Sequence, residues 1–306
     1  MSDPIRHHHV PQTYLRNFSF VKKSEFKLYT YDKISKKIFE ANVDDVAVEK
    51  NFYTVNNIQD IYAWENFYAQ SVEPMMGTTI YDIIKISESC LIRDKVQILT
   101  DELKAKFSVI MVYQLLRSKH SREFEHKIFE EKAPQILSEA KNKFMAKGNQ
   151  KIDMLLENYQ ISEDMFKLTA MEATLDITKI NMFAQALFNR CWVVYRIIGN
   201  NEFVTSDNPV LFMNNQSFDV TPFHNGIADN RTVIFYPISS KLMIVLYDYN
   251  TLLGLLNSYD CKLLFIDSTK DNRFINNVNR KQIEQCYRQV FCKKKSVLEI
   301  IQNSMK

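Results

Sequence analysis

Three adjacent imidazoles, His7-His8-His9, run straight into Val10-Pro11-Gln12-Thr13-Tyr14-Leu15-Arg16-Asn17-Phe18. An imidazole titrates near neutrality, which suits proton transfer. In its neutral form it also ligates borderline divalent cations, and a nearby carboxylate extends that set. A carboxylate of the right kind occurs in Phe203-Val204-Thr205-Ser206-Asp207-Asn208-Pro209-Val210, a strand that stops in a tight polar turn. Ser, Asp and Asn favour such turns because their side chains bond nearby backbone groups, and Pro209 keeps Asn208 out of helix. The same groups on a rigid strand end can present an acid, a base or a metal ligand, so turn chemistry and function both remain open for Asp207 and Asn208.

Two helical stripes carry polar residues where apolar ones belong. Leu103, Phe107 and Ile110 continue at their own three/four step into Gln114 and Arg117. A buried guanidinium needs an anion, either a protein carboxylate or a bound phosphate or carboxylate; at a helix end it can instead extend to water. Asn279 falls on the stripe of Ile275, Ile283, Cys286 and Val290, where a buried amide must be hydrogen-bonded and is expected to brace the core. The remaining histidines add little: His120 and His126 are six apart and His224 sits in a loop. HExxH, GxSxG, P-loop and paired CxxC signatures are all absent from the sequence.

These groups need elements to hold them. Tyr14, Leu15 and Phe18 give one helical turn an apolar face, so the N-terminal run is expected to tuck into the fold. Residues 25–32 and 37–43 alternate as a β-hairpin, and 51–54 reads as a short extended piece. Helix is expected over 58–76, with Ile61, Glu65, Tyr68, Val72 and Met75 on one stripe and Gly77 as its stop. Thr100 or Asp101 caps a helix to Ser118, and 122–144 is helical with a break at Pro134. After a turn at Gly148-Asn149, Ser162 caps a long helix to Arg190 along Leu168, Met171, Leu175, Thr178 and Met182. Runs at 192–198, 203–205, 232–236, 243–247 and 263–266 read as strands of one mostly antiparallel sheet, followed by a terminal helix from Asp271 to Cys292. The expected fold is α+β: one domain over 1–306, with an arm and hairpin (1–57), a helical region (58–190), then the sheet and terminal helix (191–306).

A length of 306 residues, 46% hydrophobic and 12% aromatic, is enough for a sizeable core. Five glycines leave no glycine-rich phosphate loop. The net charge of +3 does not by itself argue for nucleic acid, although Arg273 to Lys306 carries eight Lys or Arg against Glu284 and Glu299, either a phosphate-facing surface or a solvated one. Five scattered cysteines fit a reduced, cytoplasmic protein, and no apolar run reaches membrane-spanning length.

The opening block His7 to Phe18, then Gln114-x-x-Arg117-Ser118-x-x-x-Arg122, then Phe203 to Val210, and finally Asn277-x-Asn279 before Arg288-x-Val290-Phe291 resemble, in that order, the bacterial family catalogued as domain of unknown function 4238. The family's opening reads roughly His-Tyr-Val-Pro, which aligns its histidine with His8 and puts His9 in place of the usual aromatic. The resemblance implies one α+β domain and brings no established reaction. Its members resemble accessory genes of mobile and defence-associated loci, which leans toward nucleic-acid or nucleotide partners. The leading expectation is a hydrolase, a metal-assisted nuclease or phosphodiesterase. In it His8, Arg117 and Asp207 are catalytic, and Gln114, Asn208 and Asn279 orient the substrate. His7, His8 and Asp207 would hold Mg²⁺ or Mn²⁺. The rival expectation is a non-catalytic binding module in which the same polar residues form a structural network.

Overall fold

The computed structural model describes residues 6–56, 58–92, 95–145, 162–217 and 226–304; the Gly148-Asn149 turn and His224 lie outside them. The chain starts with strand β1 (Arg6–His8). Pro11 then leads into helix α1 (Gln12–Leu15), which tightens to a 3₁₀ turn over Arg16–Phe18. Tyr14, Leu15 and Phe18 are fully buried, as their spacing requires. The Tyr14 ring lies against Phe18 and Tyr236, so the N-terminal arm is part of the main core.

Helices and largely antiparallel strands mix as an α+β fold, but the strands form two five-stranded sheets where the sequence suggested one. In the first, β2 (Phe20–Lys22), β3 (Glu25–Asp32) and β4 (Lys37–Asn42) form the N-terminal hairpin unit. The sheet is completed by β7 (Thr205–Ser206) and β12 (Gln289–Cys292), with Val290 opposite both Tyr31 and Ser206. The second runs β11-β6-β10-β9-β8: Lys262–Asp267, Cys191–Ile198, Leu242–Tyr247, Thr232–Pro237 and Leu211–Asn214. Only the β6–β11 pair in that sheet is parallel. Its side chains alternate between two apolar clusters. Val194, Ile234, Tyr236 and Ile244 join the core shared with the helices and N-terminal arm, while Val193, Phe235 and Val245 join a smaller one with Ile275 and Val278.

The helices depart from expectation in four places. Helix α2 (Ala63–Phe67) passes through a π-helical turn at Tyr68–Val72 into α3 (Glu73–Ser89), so Gly77 lies inside a helix and does not end one. The 51–54 piece is a turn; the extended segment lies just before it as β5 (Val48–Lys50), paired with β1. Helix α4 (Asp101–Arg117) is capped by Thr100, whose side chain accepts from Leu103 N at 3.2 Å. The following α5 (Lys119–Met145) contains Pro134 without ending there, since one lost backbone bond does not stop a 27-residue helix. The long helix from Ser162 is two, α6 (Glu163–Leu175) and α7 (Ile177–Phe188). Asp176 breaks them apart and caps the second, accepting from Thr178 N and Lys179 N. The break shifts the helical phase: α7 buries Ile180, Ala184 and Leu187, leaving Leu175, Thr178 and Met182 exposed. The terminal helix likewise stops early, with α8 at Asn272–Gln285, before β12 and α9 (Lys295–Ser304). Val290, Phe291 and Cys292 are all fully buried, and the strand pairs on both edges.

A Cβ at Gly77 would meet Thr13 of α1 at 3.8 Å, an ordinary contact distance. Glycine inside a helix costs about 0.5–1 kcal/mol relative to alanine. Gly77→Ala is therefore expected to stabilise the protein by up to about 1 kcal/mol, read as a higher urea midpoint at unchanged m-value.

Candidate functional site

The β1–β5 ladder sets the three imidazoles, with His7 opposite Glu49 and His8 opposite Val48. Strand alternation sends neighbouring side chains to opposite faces: His7 and His9 are buried, whereas His8 is partly exposed. His7 Nδ1 accepts the Tyr53 backbone N–H at 2.8 Å, and its ring stacks on Tyr53. His9 packs against Phe52. Burial, reinforced by Arg117 and Lys119, pushes the His9 imidazole down to about 3, so it is neutral under ordinary conditions. His8 Nε2 lies 2.9 Å from Gln12 Nε2. Burial lowers the His8 pKa; Glu73 opposes that shift and Arg117 adds to it. Three consecutive histidines therefore occupy three different environments.

Arg117 finds the anion that its burial demands, a protein carboxylate: Nη2 is 2.9 Å from Glu73 Oε1 on α3. Nη2 also donates to the His8 carbonyl at 2.5 Å and Nε to Tyr53 Oη at 3.2 Å, while the guanidinium lies 4.4 Å from the Tyr68 ring centre. Burial opposes its charge, but Tyr53, Glu73 and Tyr68 hold its pKa above the ordinary value. Gln114, one turn earlier, donates to the His9 carbonyl at 3.4 Å. His8, Gln114 and Arg117 are thus brought together as one cluster.

Two carboxylates complete that cluster. Glu73 lies within electrostatic reach of both His8 and Glu65. Glu65 Oε2 is buried and has no hydrogen-bond partner, as is Arg117 Nη1. Burial pushes the Glu65 carboxyl up to about 7; Arg117 pulls it down and Glu73 pushes it further up. A π-helical turn at Tyr68–Val72 separates the two glutamates, and such turns recur at functional sites. The sequence did carry the signal, because Glu65 interrupts an otherwise apolar stripe. Glu73 had none, since its partner lies 44 residues away.

Asp207 belongs to a different cluster. Its Oδ1 accepts from Tyr287 N at 2.8 Å, and its Oδ2 accepts from Arg288 N and Gln289 N, both at 2.7 Å. The carboxylate thereby gathers the turn leading into β12. Burial raises its pKa, the three N–H donors oppose that shift, and the net value is about 6. Asn208 donates to the Gln285 carbonyl at 3.0 Å. Asn279 bridges Glu202 O (2.8 Å) and Val204 N (3.0 Å), bracing strand to helix. The link between the clusters is Tyr14, whose hydroxyl is 2.6 Å from Thr205 Oγ1 and from Pro237 O. No hydrogen bond of Asp207 reaches the histidines, and among the described residues no three His, Cys, Asp or Glu side chains are grouped to hold a metal ion. The set His7, His8 and Asp207 is accordingly not assembled as a metal centre.

The chain belongs to the family described as "Protein of unknown function (DUF4238)", whose model matches residues 6–296. No curated protein and no solved structure matches it. Among the described residues, no helix is long and apolar enough to cross a membrane.

Two measurements check this arrangement. Because His9 is held neutral in the fold, its contribution to stability is complete above its unfolded pKa near 6.5 and is lost as pH falls toward 3. The expected slope is up to about 1.4 kcal/mol per pH unit, and His9→Phe should flatten it in urea titrations run from pH 7 to pH 4. Asp207→Asn replaces an acceptor oxygen with a donor facing backbone N–H groups, so it is expected to destabilise by about 2–3 kcal/mol in the same assay.

Proposed function

We propose that this chain is a hydrolase of phosphodiester bonds whose acid–base centre is His8 with Glu65 and Glu73, held in place by Arg117. The observation that carries the reading is Glu65: a half-buried carboxyl, poised near neutrality, with one inaccessible and unpartnered oxygen, beside a second carboxylate and a fixed guanidinium. A carboxyl tuned to that range can give or take a proton at working pH. Glu73 is paired with Arg117 in the same cluster. Arg117 acts as a positioning residue, because Nε and Nη2 are committed to protein groups and the side chain is 1% exposed. Two carboxylates completed by substrate phosphate oxygens are a usual complement for Mg²⁺, so Mg²⁺ or Mn²⁺ suits Glu65 and Glu73 better than the separated His7, His8 and Asp207. The same Arg117 contacts favour a second reading, a polar network that specifies the fold around a non-catalytic binding site.

The test offers RNA, DNA and linear and cyclic nucleotides to the full chain with Mg²⁺ or Mn²⁺. Glu65→Gln and His8→Ala are expected to lower kcat by about 10²–10⁴-fold, and Glu65→Gln to remove the pH-rate limb near 7. Cleavage undiminished in both variants would overturn the assigned centre. No cleavage of any substrate by the wild type, with large stability losses in both variants, would establish the network.

A further inference from the structure

Arg122 is the second buried guanidinium of this region, and it lacks the carboxylate that Arg117 has. It is 8% exposed and lies over the Phe52 ring at 3.8 Å and the Trp64 ring at 4.4 Å. Nη1 donates to the Phe52 carbonyl; Nη2 is buried without a partner, and no ion pair to Arg122 forms among the described residues. The side chain lines a cavity of about 190 Å³ that opens between the Phe52 turn, α5 and α6. Lys50, Lys119 and Lys167 line it too. Of the carboxylates in the wall, Glu49 pairs with Lys119 at 2.6 Å and Glu163 lies 3.0 Å from His126, and both also act on Arg122, so the lining sets Lys50, Lys119, Arg122 and Lys167 against Glu49, Glu123 and Glu163. The balance is cationic around a fixed, planar donor.

We propose that this cavity binds a phosphate group, with Arg122 as its anchor and Lys50 and Lys167 at its rim. A guanidinium immobilised between aromatic rings has already lost its rotamer freedom, so it binds an oxyanion at little further entropic cost. A doubly charged phosphate offers enough oxygens to engage the Arg122 side chain and the rim lysines together, which one carboxylate does not. The Tyr53 ring centre is 5.5 Å from Arg122 and 5.8 Å from Arg117, so the cavity adjoins the His8–Glu65 cluster. Binding of phosphate stands without any turnover; the further statement that this phosphate belongs to the substrate rests on the hydrolase reading.

The experiment titrates the full chain with inorganic phosphate and, separately, with AMP, by calorimetry. Saturable binding is expected at millimolar concentration or below. Exchanging both rim lysines, Lys50→Ala with Lys167→Ala, is expected to weaken it about tenfold or more, and Arg122→Lys, which keeps the charge but loses the planar fork, at least as much. Preference for AMP assigns the site to a nucleotide, and preference for inorganic phosphate to a free oxyanion. His8→Ala is expected to retain binding while losing hydrolysis, so a failed active site and a failed phosphate site give different results. Absence of saturable binding of both probes, or wild-type affinity in the lysine double variant, overturns the proposal; the double variant decides alone if Arg122→Lys does not fold.

Discussion

The structure around the N-terminus depends on one buried cation. The Arg117 guanidinium on α4 ties together the His8 carbonyl of the arm, Glu73 of α3 and the Tyr53 hydroxyl. Taking that charge out of water costs several kcal/mol, and only a well-formed set of acceptors offsets it. Such a pair adds little net stability over an apolar substitute, yet it is very sensitive to geometry. It therefore fixes where four segments must sit relative to one another. The arm has few alternatives: displacing β1 would remove an acceptor from a buried guanidinium, and would also uncover Val10, Tyr14 and Leu15.

That constraint explains why the polar residues sort into two clusters. Arg117, Glu73, Glu65 and His8 form a partly buried cluster beside the helices, where the charges act on one another. Asp207, Asn208, Asn279 and Gln282 occupy the junction of β7, α8 and β12, where each makes hydrogen bonds to backbone. The second cluster does for the C-terminal half what Arg117 does for the N-terminal half: it satisfies the buried backbone of a turn and closes a sheet. Tyr14 ties the N-terminal arm to the second cluster's strand through Thr205.

The sequence showed what is local. The apolar face of Tyr14, Leu15 and Phe18, the Thr100 cap and the hairpin over 25–42 follow from periodicity and capping chemistry alone. It also showed that Gln114, Arg117 and Asn279 are polar groups on buried faces, which is where the structure puts them. What it did not show are partners set by tertiary contact. Glu73 meets Arg117 across 44 residues, and Asp207 meets the β12 turn across 80 or more. The extent of α8 was overread because Ile283, Cys286 and Val290 keep a helical step across a segment that is in fact a turn and a strand. Gly77 does not stop its helix for a different reason: packing of α3 against α1 outweighs propensity there.

The placement of Arg117 and Arg122 around a single ring shows how a short irregularity creates a site. In an unbroken helix, residues five apart point about 140° away from each other around the axis, so both could not face one aromatic group. Ser118 interrupts the helix with an extended backbone, φ −67° and ψ 141°, between α4 and α5. Its hydroxyl accepts from Ser121 N at 3.1 Å, holding the start of α5. That one break redirects the second guanidinium, so both lie near the Tyr53 ring, 5.8 and 5.5 Å from its centre. One cation is neutralised by Glu73; the other has no ion-pair partner among the described residues and lines a cationic cavity. The spacing Arg117-Ser118-x-x-x-Arg122 thus encodes a helix break that separates a structural arginine from one available to a ligand.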